Sequence, residues 1–479
     1  MKKILVMILA MAMVLMTVAC AGPETPPPAT QDTTPDSTAP DSTAPDANDQ
    51  PSAPVDASGL IGGTYPEGTM VIWSFGMPEY MRIWFQSYID REDTAVEGVT
   101  VEMVSFANEA EVRQQIMMEV TAETLDNLPT AISTFPVSVQ VLVENGLLRD
   151  LTDYFQPHFD EFVDGAFDEI TIDGRAYGLP LVLQPKMIFY NNDIFERYNL
   201  DPDRMDTFEG YLELGLELRE LTNGETALSY TCPGAFTWRY WFRRGLMPQA
   251  NGRIWSDDGA SVVFDTDPGT IKAFNYFDSL FREDLLLVVE TFSPAWYEAA
   301  RNEEFATFYI ESFLDTFLRA NLGDMSGSWR SRPAPVFGDI GTAGAQVLGT
   351  YAVINKPNDP YAELFIEAMM DFHFNIEARN QWTVDMLAQD LAVEHPATRE
   401  MLKDPFWNET SEFYGGQSYR AMVTKAFENQ SANLLVTQND AEADGIISNE
   451  LEIYVAGGQD IETTITNIGV NLRRQLNMN

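Results

Sequence analysis

Phe236-Thr237-Trp238-Arg239-Tyr240-Trp241-Phe242 is the most aromatic stretch of the chain, and its chemistry would be contact rather than reaction. Flat ring faces suit the apolar faces of sugar rings, while polar edges meet the hydroxyls. On a helix Trp238, Trp241 and Phe242 share one face, so the same spacing also builds an ordinary buried stripe, and both readings stay open. Reactive constellations are not found: there is no HExxH, GxSxG, phosphate-binding loop or CxxC pair. Paired carboxylates for glycoside hydrolysis are not identifiable by spacing. Cys20 and Cys232 are the two cysteines, and His158, His373 and His395 stand in no signature spacing around Cys232. Cys232 therefore reads as a buried structural thiol, with no disulfide framework in the body. The acidic run from Asp440 to Gly445 has the outline of a calcium loop, but Leu451 stands where a bidentate Glu is needed, so it reads as a solvated loop. No catalytic residue, metal or cofactor is expected.

The elements that must hold such aromatics in place can be laid out in order. Thr69–Phe75 is an apolar strand, and Glu79–Ile89 carries Tyr80, Ile83, Trp84 and Tyr88 at helical spacing. Val99–Phe106 alternates as a second strand; Glu109–Thr124 is a helix, Thr130–Phe135 a third strand, and Val137–Asn145 a helix closed by Gly146. This alternation implies an open α/β sheet with covered faces. In such sheets ligands sit beyond the carboxyl ends of the strands. That position selects Ser74, Phe75 and Met77 after the first strand, and Thr134 and Phe135 after the third. From Tyr177 to Tyr190 short apolar runs are broken by Gly178, Pro180 and Pro185, as in an extended crossing, and a short helix follows from Asn191.

The chain has 479 residues, enough for two lobes, and its 29 Lys+Arg against 73 Asp+Glu give a net charge of −44. That balance argues against nucleic acid or anionic lipid as a partner of the body, and it also keeps an exported surface soluble. Residues 1–20 read as a lipoprotein signal peptide: Lys2 and Lys3, an apolar run from Ile4 to Thr17, and Val18-Ala19-Cys20. The run is short for a membrane span. Residues 21–67, rich in Pro, Thr, Asp and Ser, read as a disordered tether.

Tyr177-Gly178-Leu179-Pro180-Leu181 followed by Ile188-Phe189-Tyr190-Asn191-Asn192-Asp193 resembles the hinge-crossing segment of extracellular solute-binding proteins of ABC importers, the maltose-binding-protein-like carbohydrate family. Pro233-Gly234-Ala235-Phe236-Thr237-Trp238 is similar to that family's Pro-Tyr-Phe-Thr-Trp region, with Ala235 in place of the stacking Tyr, so that Tyr230 or Trp238 substitutes for it. Ala345–Asn355, with Gly349, Thr350 and Tyr351, resembles the return crossing. Glu311-Ser312-Phe313-Leu314 stands where family members have an Asn-Gly-Ser-Trp turn, leaving Glu311 at the expected cleft edge.

The resemblance implies an α/β, two-lobe, type II periplasmic-binding-protein-like fold with open mixed sheets flanked by helices and a hinge-crossed cleft. The expected division is 68–180 and 326–376 in lobe 1, and 181–325 and 377–479 in lobe 2. It further implies a monomer held by lipid on Cys20 at the extracellular face of a bacterial membrane, binding a carbohydrate and delivering it to ABC permease subunits. Expected ligand contacts on the hinge and second lobe are Gln184, Lys186, Tyr230, Trp238, Trp241, Glu311 and Tyr351. A peptide or other polar solute in the same fold, or a secreted glycoside hydrolase, are the alternatives.

Overall fold

The computed structural model describes residues 64–75, 78–94, 96–340, 347–388, 395–429 and 433–478. The signal peptide with Cys20, the tether up to residue 63, and Met77 lie outside the described residues.

The first sheet is built from strands β1 (Gly68–Phe75), β2 (Val99–Phe106), β3 (Ala131–Thr134), β6 (Leu179–Leu183) and β12 (Val347–Val353), in the order β2-β1-β3-β12-β6. β1 runs parallel to β2 and β3, as a strand–helix–strand alternation requires, whereas β12 is antiparallel to both β3 and β6. The helix Pro78–Asp90 covers one face, and Trp84 Nε1 donates to the Ala368 carbonyl at 3.0 Å, tying it to the helix Ala362–Phe374. Short strands β4 (Thr171–Ile172) and β5 (Arg175–Ala176) form a hairpin before β6.

Gln184 and Pro185 carry the chain from β6 into β7 (Lys186–Asn191), the central strand of a second sheet. Its antiparallel neighbours are β10 (Thr307–Glu311) and β11 (Trp329–Pro333). Every residue of β7 is buried, and its two faces separate by the period of two: Ile188 and Tyr190 join one apolar cluster, Met187 and Phe189 another. A parallel pair, β8 (Ser229–Thr231) and β9 (Leu286–Val288), lies in the same half of the chain.

The crossing differs from the expectation in position. Pro180 is a residue of β6 inside the first sheet, opposite Thr350, and the change of sheet comes at Gln184-Pro185. Likewise β11, grouped above with the first lobe, pairs with β7 in the second sheet, because β7 is a central strand whose second edge needs a partner. Trp382 and Met386, grouped with the second lobe, pack in the first-lobe core.

One segment takes an unexpected backbone form. Thr237–Leu246 is a π-helix rather than an α-helix. The acidic run at Asp440 is not a solvated loop either: it opens the helix Asp440–Val455, and Asp440 is fully buried. Its carboxylate accepts from Trp255 Nε1 at 2.8 Å and from Arg243 Nη2 at 2.6 Å, which is why the charge is tolerated there.

Candidate functional site

A cavity of about 520 Å³ opens between elements that belong to the two sheets, a volume in the range of small-molecule sites. From the first-lobe side it is bordered by Glu109, Arg113, Phe135, Ser138 and Glu169. From the other side come Ala235, Trp238, Arg239 and Arg244 of the π-helical region, and Asp444 and Asn449 of the helix Asp440–Val455.

Phe135 is the residue just past β3, and it holds the N-cap position of the helix Pro136–Glu144. The open-sheet position argument thus puts its ring on the wall, where Phe75 braces it edge-on at 4.8 Å between centroids. Opposite, Trp238 borders the cavity while almost fully buried, and its Nε1 donates to Asp444 Oδ1 at 2.6 Å. Asp444 also accepts from Arg243 Nη1 at 3.0 Å. Trp238 and Phe135 therefore face one shared opening.

Other expected contacts lie behind the wall. Thr134 is buried and donates to Glu109 Oε1 at 3.1 Å, so it positions a carboxylate that borders the cavity. Ser74 is buried, its hydroxyl turned to the Phe75 carbonyl. Tyr351 packs against Phe85 and Phe365 in the first-lobe core. Trp241 donates Nε1 to the Tyr230 carbonyl at 3.0 Å and packs on Phe277 and Tyr309; Tyr230 itself sits among Trp296, Phe305 and Phe308. Gln184 is buried at the crossing, with Oε1 lacking a hydrogen-bond partner. Lys186 and Glu311 are both buried and bind each other at 3.1 Å. None of these eight borders the cavity. An apolar ring or a charge close to a crossing is recruited by the core when a partner is within reach, and most of the partners here come from helices and strands remote in sequence.

The charged residues of the wall were not anticipated. Arg239 and Arg244 place their guanidinium carbons 6.0 and 5.7 Å from the centroid of the Phe135 ring, reaching across from the opposite lobe. In an α-helix, residues five apart are turned by about 140° from one another. The i→i+5 winding of the π-helix removes most of that offset and lets both arginines meet one ring. Glu169, half-buried on the first-lobe side, has Oε2 without a hydrogen-bond partner. Desolvation pushes its carboxyl up to about 7, against the opposing pull of Arg243 and Arg244. The only signal in the sequence was local: three arginines between Arg239 and Arg244 in a chain with 73 acids.

Among the described residues no group of His, Cys, Asp or Glu is arranged to hold a metal ion. Nor is any helix among them long and apolar enough to cross a membrane.

Residues 88–310 match the family model described as bacterial extracellular solute-binding protein. An arabinooligosaccharide-binding protein of Halalkalibacterium halodurans is 23% identical over 292 residues, 59% of this chain and 60% of that protein. The alignment thus spans somewhat under two thirds of that relative's length. Among solved structures, the binding protein of a Bifidobacterium animalis subsp. lactis ABC transporter, in complex with β-1,6-galactobiose, superposes with a TM-score of 0.67 at 17% identity, covering 86% of this chain and 98% of that one. The sugar-binding protein MalE of Xanthomonas citri superposes with a TM-score of 0.69 at 14% identity, covering 86% and 98%. The fold is the two-lobe type II binding-protein fold.

Proposed function

We propose, starting from a chain whose residues 88–310 match the bacterial extracellular solute-binding family and whose described body has the type II fold, that this protein captures a carbohydrate between its lobes and hands it to an ABC permease. The observation that carries the reading is the cavity bordered from both sides, with Phe135 on one wall and Trp238 on the other. A ligand favours closure only by touching both lobes, and this geometry offers it both. Sugar-binding relatives and sugar-bound structural neighbours support the ligand class. The protein acts as a monomer, anchored through lipid on Cys20 at the outer face of the membrane, and returns its ligand unchanged.

The test is titration of Trp fluorescence and of melting temperature with arabino-, galacto- and gluco-oligosaccharides. A sugar present at 100 times its Kd stabilises the fold by about 2.7 kcal/mol. Silence across the panel, together with tight binding of a peptide, would overturn the ligand class, and product release from a chromogenic glycoside would overturn the binding role.

A further inference from the structure

The cavity wall carries four arginines, Arg113, Arg239, Arg243 and Arg244, beside four carboxylates, Glu109, Glu169, Asp444 and Glu452, in a chain that is otherwise short of cations. Many arginines elsewhere hold carboxylates: Arg149 with Glu363, Arg197 with Glu303, Arg301 with Asp324, Arg473 with Asp265. Within the cavity Arg243 is likewise committed, to Asp440 and Asp444. Arg239 and Arg244 differ. Among the described residues no carboxylate makes an ion pair with either; both lie over the same phenyl ring, and Arg239 also hydrogen-bonds the Tyr240 side chain. With 73 acids against 29 bases, two neighbouring guanidiniums without a counter-ion are not what an arbitrary surface of this protein would present. Burial lowers the Arg244 guanidinium from its ordinary value, with Arg239 acting in the same direction and Glu311, Tyr240 and Glu169 against it, as expected of a cation taken from water without an ion-pair partner.

Two further features point the same way. The cavity is bordered by Pro136, Val137 and Ser138, the first turn of a nine-residue helix, whose N-terminal end favours negative charge. Beside it Arg113 also borders the cavity, and among the described residues its Nη1 donates to the Ser138 hydroxyl at 2.9 Å.

We infer that the saccharide taken up at this site carries an anionic substituent, a carboxylate of the uronic acid type or a sulfate, held by Arg239 and Arg244 while its ring lies against Phe135. A guanidinium presents paired donors that match a carboxylate or sulfate. The overall charge of −44 does not oppose this at contact range, because charges more than about 10 Å away are largely screened at 0.1 M salt. The inference rests on the carbohydrate reading and narrows it.

The experiment is calorimetric titration of the full-length protein with uronate-bearing disaccharides, each beside its methyl ester, which keeps the shape and removes the charge, and with neutral and sulfated disaccharides. The expected result is at least about 10-fold tighter binding of an acid than of its ester. That preference should fall in 0.5 M salt and vanish in R239Q and in R239Q/R244Q. Arg239 is exposed, so R239Q keeps the test independent of whether the double variant folds. Preference for the sulfated sugar over the uronide assigns the anion as sulfate. Equal binding of acid and ester, or a preference untouched by R239Q, overturns the inference. Binding of neutral sugars alone overturns it while leaving the carbohydrate reading intact, and failure of every saccharide removes both.

Discussion

Lys186 and Glu311 stand directly opposite each other across the antiparallel pair of β7 and β10, and their side chains close a fully buried ion pair at 3.1 Å. Lys186 Nζ also donates to the Tyr240 carbonyl at 2.5 Å and lies 4.8 Å from the Tyr309 ring centroid. Desolvation brings the Lys186 ammonium down to about 8, with Glu311 resisting. The pair thus pins the first residue of the second sheet, next to the crossing, to the π-helix. Removing one member leaves an uncompensated buried charge, so K186M should cost about 3–5 kcal/mol in urea unfolding, and K186M/E311L should recover most of it.

Phe135 is the aromatic surface that the cavity exposes to a ring ligand. F135L retains packing volume against Phe75 but removes the flat face. Carbohydrate affinity should fall by about threefold to tenfold, read by calorimetry, with the melting temperature little changed.

Trp238 and Trp241 are three residues apart but have different roles. Trp238 borders the cavity, whereas Trp241 is held in the core by Tyr230, Phe277 and Tyr309. W238F should abolish the ligand-induced fluorescence change. W241F should preserve it while costing about 1–3 kcal/mol of stability, because the buried Tyr230 carbonyl loses its donor.

Glu169 makes stability depend on pH. Its folded-state pKa is raised from 4.5 to about 7, so between these values the folded chain holds more proton than the unfolded one. Its contribution is fully present below pH 4.5 and is lost as pH rises through 7. The groups facing it are Arg243, Arg244, Asp440 and Asp168. Melting curves of the wild type and E169Q, followed from pH 4.5 to 8, should diverge in favour of the variant as pH rises; parallel curves would refute the assignment.

Much of the architecture was legible because it is written in short-range patterns. The alternation of Val99–Phe106, the apolar run of Thr69–Phe75 and the cap at Asn191, whose side chain accepts from the Asp193 amide, are set by neighbours in sequence. Strand order also selected Phe135, just past the carboxyl end of β3, and Phe135 is found on the cavity wall. The helix Ile376–Leu387, by contrast, packs where long-range contacts put it, and no local pattern distinguishes Trp382 of the first core from Tyr454 of the second.

By itself the sequence determined the strand and helix order, the aromatic segment and the excess of acid, since periodicity and composition are properties of adjacent residues. Tertiary structure alone decided which aromatics face the opening. Tyr230 and Trp241 are drawn into cores by Trp296, Phe277 and Tyr309, and Lys186 and Glu311 neutralise each other. Arg239 and Arg244 reach one ring only because the helix that carries them is wound wider than an α-helix and lies across from Phe135. A side chain's partner is fixed by desolvation and reach in three dimensions, and neither quantity is encoded in its spacing along the chain.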